Sequence, residues 1–218
     1  MKNMAKYPIF LELGGRRVVI VGGGPVAARK AEAILKAGAR LVVVAERIDE
    51  ALRGLCEGTG VELIESRYAK EYLAEATLVI AATDNAKLNS QIYKDCQELE
   101  ILCNVVDSPE LCDFFVPAVV KRGDLQIAIG TEGRSPAYAG HLRKKLEEMF
   151  QEEHGRFLAE LEAVRKQVIK EVGNADDRKA LLGRLVDDES FEYFLQNGST
   201  AWRNRAGGLI GECKSKGE

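Results

Sequence analysis

The residues able to do chemistry gather where short apolar runs end. The first such place is Gly22-Gly23-Gly24-Pro25-Val26-Ala27, which carries the spacing G-x-G-x-x-A directly after the run Arg16–Val21. Each position answers a physical need of dinucleotide binding. Gly22 permits a tight turn, Gly24 lets a pyrophosphate approach the backbone, and Ala27 is small enough for close helix–strand packing. The free N–H groups that open the following helix then face an anion. Gly23, Pro25 and Val26 complete the candidate phosphate turn. About twenty residues on, Glu46 ends a second apolar run, where an acid accepts a ribose 2′-hydroxyl and favours NAD. Its neighbour Arg47 suits a 2′-phosphate, so NADP stays open. Thr83, in Ala81-Ala82-Thr83-Asp84-Asn85, either lines the cofactor or belongs with Asn85 to the cap of the next helix. The plain alternative for the whole group is a βαβ turn that binds nothing.

The second place is Ile101–Pro117, ILCNVVDSPELCDFFVP. An apolar run there ends in Asn104 and Asp107. In an open α/β sheet, ligands bind outside the carboxyl ends of the strands. A carboxylate at that edge can take or relay a proton. Asp107-Ser108-Pro109 also reads as a simple turn, with Asp107 bonding its own backbone. Glu110 and Asp113 read as solvated surface.

The elements that must position these residues alternate. Runs at Arg16–Val21, Arg40–Ala45, Val61–Glu65, Leu78–Ala82 and Ile101–Val106 are rich in β-branched residues. Between them lie one-face helical spacings, Ala27/Ala31/Ile34/Leu35 and Leu88/Ile92/Cys96. Strands apolar on both faces, separated by helices, predict an α/β fold: a Rossmann-type parallel sheet with helices on both faces. After Val106 the pattern changes. FFVPAVV and Leu125–Ile129 read as strands without an intervening helix, with Pro117 breaking the first or placing it at an edge. Their edges and Phe114-Phe115 predict a partner surface. Ser135-Pro136 starts a helix, another runs from about Asp176 toward Gly198, and GGLIGECKSKGE reads as a loose tail.

The chain has 218 residues, 46% hydrophobic, with 31 basic against 34 acidic side chains. That balance points to neither nucleic acid nor a membrane surface. No signal peptide or membrane span is evident, and five cysteines without a CxxC pair suggest reduced thiols in a cytoplasmic protein. His141 and His154 stand in no metal-ligand spacing, so no metal site is expected.

The ordered set YPIFLELGGRRVVIVGGGPVAARKAEAILKAGARLVVV, AATDN, CNVVD and IAIGTEGRSPAYAGHLRKKLE resembles the siroheme synthase N-terminal family, from about Tyr7 to about Leu146. The resemblance implies NAD-dependent oxidation of precorrin-2 to sirohydrochlorin, in some members with ferrous iron insertion as well. It implies a homodimer and a small helical closing domain. Asp107 takes the family's catalytic position, and Thr131 stands where several members have a serine near the tetrapyrrole. Glu132 departs from the usual serine-rich loop. Arg134 suits the carboxylates of such a substrate. It lies in the stretch Lys121–Lys145, whose six bases against two acids give a local charge of +4. Asn104, Thr131 and Arg134 are thus the candidate substrate contacts. The expected organisation is a NAD-binding domain over 1–112, a dimerisation and tetrapyrrole-binding segment over 113–146 and a helical domain over 147–218. A Rossmann module that senses NAD without catalysis is the competing reading.

Overall fold

Five apolar runs form one parallel sheet in the order β3-β2-β1-β4-β5. They are β1 (Arg17–Val21), β2 (Arg40–Ala45), β3 (Glu62–Glu65), β4 (Leu78–Ala81) and β5 (Leu102–Val105). The computed structural model describes residues 6–215, in two compact units that divide between Val116 and Pro117.

The period of two along each strand sends alternate side chains to opposite faces. Val18, Ile20, Leu41, Val43 and Ile80 pack under α1 (Pro25–Lys36) and α2 (Glu50–Cys56). Val19, Val21, Val42, Val44, Val79 and Cys103 pack on the other face, with Ile92 and Cys96 of α3 (Ala86–Glu98). Burial on both faces is what made β1, β2 and β4 continuously apolar, at about 1.5–3 kcal/mol for each large side chain buried, whereas edge strand β3 keeps two exposed acids, Glu62 and Glu65. No α-helix follows β5. The chain instead makes a short 3₁₀ turn at Pro109–Leu111 and returns, forming an antiparallel bridge between Asn104 and Cys112.

In the second unit, β6 (Ala118–Arg122) begins just after Pro117 and pairs antiparallel with β7 (Leu125–Ile129) across Gly123. Starting the strand after the proline avoids a lost ladder donor. Helix α4 (Pro136–Met149) opens as its sequence suggests: the Ser135 hydroxyl accepts from the Tyr138 N–H at 3.2 Å, and Pro136 takes the first turn. Helix α5 (Glu152–Glu171) lies against the hairpin so closely that a β-carbon on Gly155 would sit 2.5 Å from the Arg122 carbonyl oxygen. The hairpin thus has helical cover, which the sequence pattern did not show. Helices α6 (Ala175–Leu185) and α7 (Asp188–Ser215) join α5 around Phe157, Phe194 and Trp202. Trp202 Nε1 donates to the buried Ser190 hydroxyl at 2.9 Å. Gly198 (φ 79°) breaks α7 into two helical parts.

The expected loose tail is corrected for its described part: Gly207–Ser215 is helical. Ala206 and Ile210 continue the stripe begun by Trp202 and are buried, with Leu209 and Cys213 packed beside them. That spacing outweighs the low helix propensity of three glycines, whose β-carbons would meet nothing. Residues 216–218 of that stretch lie outside the described residues.

Candidate functional site

The phosphate turn is built from three glycines with three different duties. Gly22 has φ 132°, and a β-carbon there would lie 2.3 Å from the Ala82 carbonyl oxygen, so the turn hugs the end of β4. At Gly23 a β-carbon would lie 2.0 Å from the Arg47 carbonyl oxygen, and the Gly23 carbonyl accepts from Asp49 N–H at 2.9 Å. Gly23 therefore lets the connection after β2 close over the turn. At Gly24 an added β-carbon would meet nothing. Gly24 is the N-cap of α1, no side chain caps it, and Pro25 at the first position has no N–H. The open approach and the uncapped amides that begin at Val26 fit a pyrophosphate. Ala27 is fully buried against the sheet.

Glu46 and Arg47 follow β2, both exposed. The structure adds a residue that the sequence reading missed: Arg67 Nε lies 3.7 Å from Glu46 Oε1. Its position comes from strand pairing, Ala45 opposite Glu65, with Ser66 N–H donating to the Ala45 carbonyl at 3.0 Å. No local motif announces such a neighbour.

Thr83 lies beside the turn through its backbone, its amide nitrogen 3.2 Å from where a Gly22 β-carbon would be. Its hydroxyl faces inward and donates to Asn89 Oδ1 at 2.6 Å, while Asn85 caps α3 by accepting from Lys87 and Leu88 N–H. The capping alternative thus describes this segment's side-chain bonds, and Thr83 reaches the turn with its main chain.

Asp107 is exposed beyond β5, beside β4 as well, since Val106 N–H donates to the Ala81 carbonyl at 3.0 Å. Its φ of 60° puts a non-glycine residue in the left-handed region, where Asp and Asn are best tolerated. The loop is held from below. Buried Asn104 donates to the Phe114 carbonyl at 2.9 Å and to Cys112 Sγ at 3.4 Å. Its amide hydrogens are therefore engaged within the chain, and its evident task is to fix the loop that carries Asp107. Asp113, expected to be free surface, accepts from Cys103 N–H at 2.9 Å and from Gln97 at 3.0 Å. Phe114 packs against the α1 side of the core rather than offering itself outward. Facing this loop from α1 is half-buried Lys30. Burial and then Arg29 push its ammonium below the usual lysine range, and the charges of Cys112 and Asp107 oppose that shift.

The second unit carries Thr131 and Arg134. Thr131 accepts through its carbonyl from Arg134 N–H at 2.9 Å and through its hydroxyl from Ser135 N–H at 3.3 Å. Glu132 (φ 53°) and Gly133 (φ 77°) make the tip of this turn, and Arg134 is exposed. Two other bases of the cluster are structural: Arg122 donates to the Glu147 carbonyl at 3.0 Å, and Arg143 pairs with Glu147 one turn on. His154 accepts from Gln151 N–H at 3.1 Å, closing the start of α5. Among the described residues there is no group of three His, Cys, Asp or Glu side chains that could hold a metal ion, and no helix long and apolar enough to cross a membrane.

Comparison with known proteins bears on the same segments. Residues 9–118 match the family described as "Putative NAD(P)-binding", and residues 122–149 match "Sirohaem biosynthesis protein central". A siroheme synthase of Psychrobacter arcticus is 42% identical over 153 residues, 70% of this chain and 28% of that protein. Siroheme synthase 3 of Aeromonas hydrophila is 33% identical over 217 residues, 99% of this chain and 46% of that protein. The chain thus spans less than half the length of these relatives. In fold it is similar to the solved structure of SirC, a precorrin-2 dehydrogenase, with a TM-score of 0.77 at 22% identity, covering 92% of this chain and 98% of that one. The first match takes in the glycine turn, Glu46 and Asp107, the second takes in Thr131 and Arg134, and by these matches the chain belongs to the siroheme synthase N-terminal family.

Proposed function

We propose that this chain oxidises precorrin-2 to sirohydrochlorin, with NAD as the oxidant. The observation that carries the reading is the placement of Asp107. It stands at the carboxyl edge of the same parallel sheet whose β1 end forms the uncapped phosphate turn. Bound NAD supplies the acceptor for a hydride. The turn from Gly22 to Ala27 holds the pyrophosphate through main-chain amides, and Glu46 and Arg47 stand at the adenosine end. Asp107, exposed and backed by a fixed loop, takes or relays the proton that leaves the tetrapyrrole. Arg134 pairs with substrate carboxylates, and Thr131 stands on the same turn. Asn104 acts beneath Asp107.

The reading includes a cytoplasmic homodimer. Support comes from large apolar side chains left exposed in each unit: Tyr7, Ile9 and Phe10 in the first, Val119 and Tyr138 in the second. A second copy is the partner that would cover them. Sedimentation at low micromolar concentration tests this, and a stable, active monomer would refute it.

The deciding experiment mixes the purified protein, NAD and precorrin-2 without oxygen and follows absorbance of the ring and of NADH. Coupled change in both supports the oxidation. A silent mixture with intact NAD binding would favour the NAD-sensing module. Ferrous iron added afterwards, as substrate, tests insertion into the product.

A further inference from the structure

Glu46 alone would make the adenosine corner negative, and a lone carboxylate there repels a 2′-phosphate. The structure does not leave it alone. The exposed Arg67 guanidinium faces it, with Nε 3.7 Å from Glu46 Oε1. Arg47, next in the chain, is exposed on the same connection and adds a second base there. The neighbouring acid Glu65 does not offset them, because it is paired with Arg53. The backbone beneath Arg67 is fixed on both sides. Ser66 N–H donates to the Ala45 carbonyl at 3.0 Å, and Tyr68 donates its hydroxyl to the buried Asp95 at 2.7 Å. A long, exposed cation therefore rises from a rigid base beside the residue that would read the ribose.

An exposed ion pair of this kind adds little to stability. Its effect is on what the corner admits. A guanidinium presents a fork of donors matched to phosphate oxygens, and it can swing from the carboxylate to a phosphate without moving its backbone. We infer that Arg67 sets the 2′ specificity of the cofactor site: it offsets Glu46 and opens the adenosine corner to NADP as well as NAD. The inference rests on the dinucleotide site proposed above, and it concerns binding rather than turnover.

Direct titration of the purified protein with NAD and with NADP tests it, in wild type, Arg67→Ala and Glu46→Gln. Wild type is expected to bind NADP within about tenfold of NAD. Arg67→Ala should weaken NADP by about tenfold or more, the effect of one lost charge-assisted phosphate contact, with NAD unchanged or tighter. Glu46→Gln should tighten NADP. The melting temperature without cofactor should be unchanged in Arg67→Ala, because the side chain is 89% exposed. The idea is overturned if wild type binds NAD but not NADP, or if Arg67→Ala leaves both affinities as they were. If wild type binds neither, the dinucleotide site itself is refuted, and that outcome is distinct from the others.

Discussion

The Arg47 carbonyl oxygen fills the space that a β-carbon on Gly23 would need, 2.0 Å from its place, whereas the space beside Gly24 is open. Two adjacent glycines thus serve two masters, one the fold and one the ligand. Gly23→Ala should force the β2–α2 connection away and lower the melting temperature. Gly24→Ala should melt like wild type, since φ at Gly24 is −92° and suits alanine. Its affinity for NAD should still fall by about tenfold or more, because a methyl group blocks the pyrophosphate's approach. Thermal melts and cofactor titration of the two variants separate the roles.

Asp107→Asn should fold and bind NAD normally, because asparagine is the residue that best tolerates φ near 60° after glycine. The oxidation rate should fall by about 10²-fold or more, as for a positioned acid or base. Asp107→Ala is the poorer test, since a strained left-handed alanine costs about 1 kcal/mol by itself. A wild-type rate in the asparagine variant would reduce Asp107 to a turn residue.

Asn104→Ala should act through the loop. The Phe114 carbonyl loses its donor and a buried amide disappears, a change worth about 1–3 kcal/mol. Turnover should drop while NAD affinity holds, because the phosphate turn lies on β1 and not on this loop. If turnover is unaffected at a temperature where the variant is folded, the loop's position does not govern the reaction.

Thiol chemistry should be sharply uneven. Cys103 is fully buried, and its hydrogen bond with Cys96, together with burial, pushes its thiol well above the usual range. Cys56 and Cys112 are also raised by burial. Thiolate is the reactive form. A maleimide at neutral pH should therefore label Cys213, which is only partly covered, before the other four. Peptide mapping after brief exposure checks this, and early labelling of Cys103 would contradict it.

Ile210→Ala tests the helical end. Ile210 is 1% exposed, and removing a large aliphatic side chain from such a site costs about 2–5 kcal/mol. A melt indistinguishable from wild type would return this segment to the loose tail that its glycines suggest.

The inner strands β1, β2 and β4 were legible because they are apolar on both faces, which leaves an uninterrupted apolar run. The glycine turn was legible because its requirements are steric and local. Arg67 was not, since its nearness to Glu46 arises from the parallel pairing of β2 with β3 and has no fixed spacing along the chain. The start of α5 was also hidden: Gln151 and His154 cap it reciprocally, in place of the more familiar serine and glutamate. The tail misled because glycine frequency was weighed without the stripe of Trp202, Ala206 and Ile210. Asn104 shows a further limit. A polar residue inside an apolar run announces a special role, but only the fold tells that its partner is the Phe114 carbonyl.

The return of the chain after β5 has a consequence for solubility. A parallel sheet that ends without a covering helix would expose a row of backbone donors and acceptors, a template for pairing with another molecule. Here three outward groups of β5 are already occupied. Cys103 N–H donates to Asp113 Oδ2, Cys103 C=O accepts from Asp113 N–H, and Val105 C=O accepts from Ser108 N–H and the Cys112 thiol. The irregular loop from Val106 to Asp113 thus acts as a plug on the sheet's open side. Strand-to-strand aggregation must first peel that plug away, and with it the segment that holds Asp107 in place.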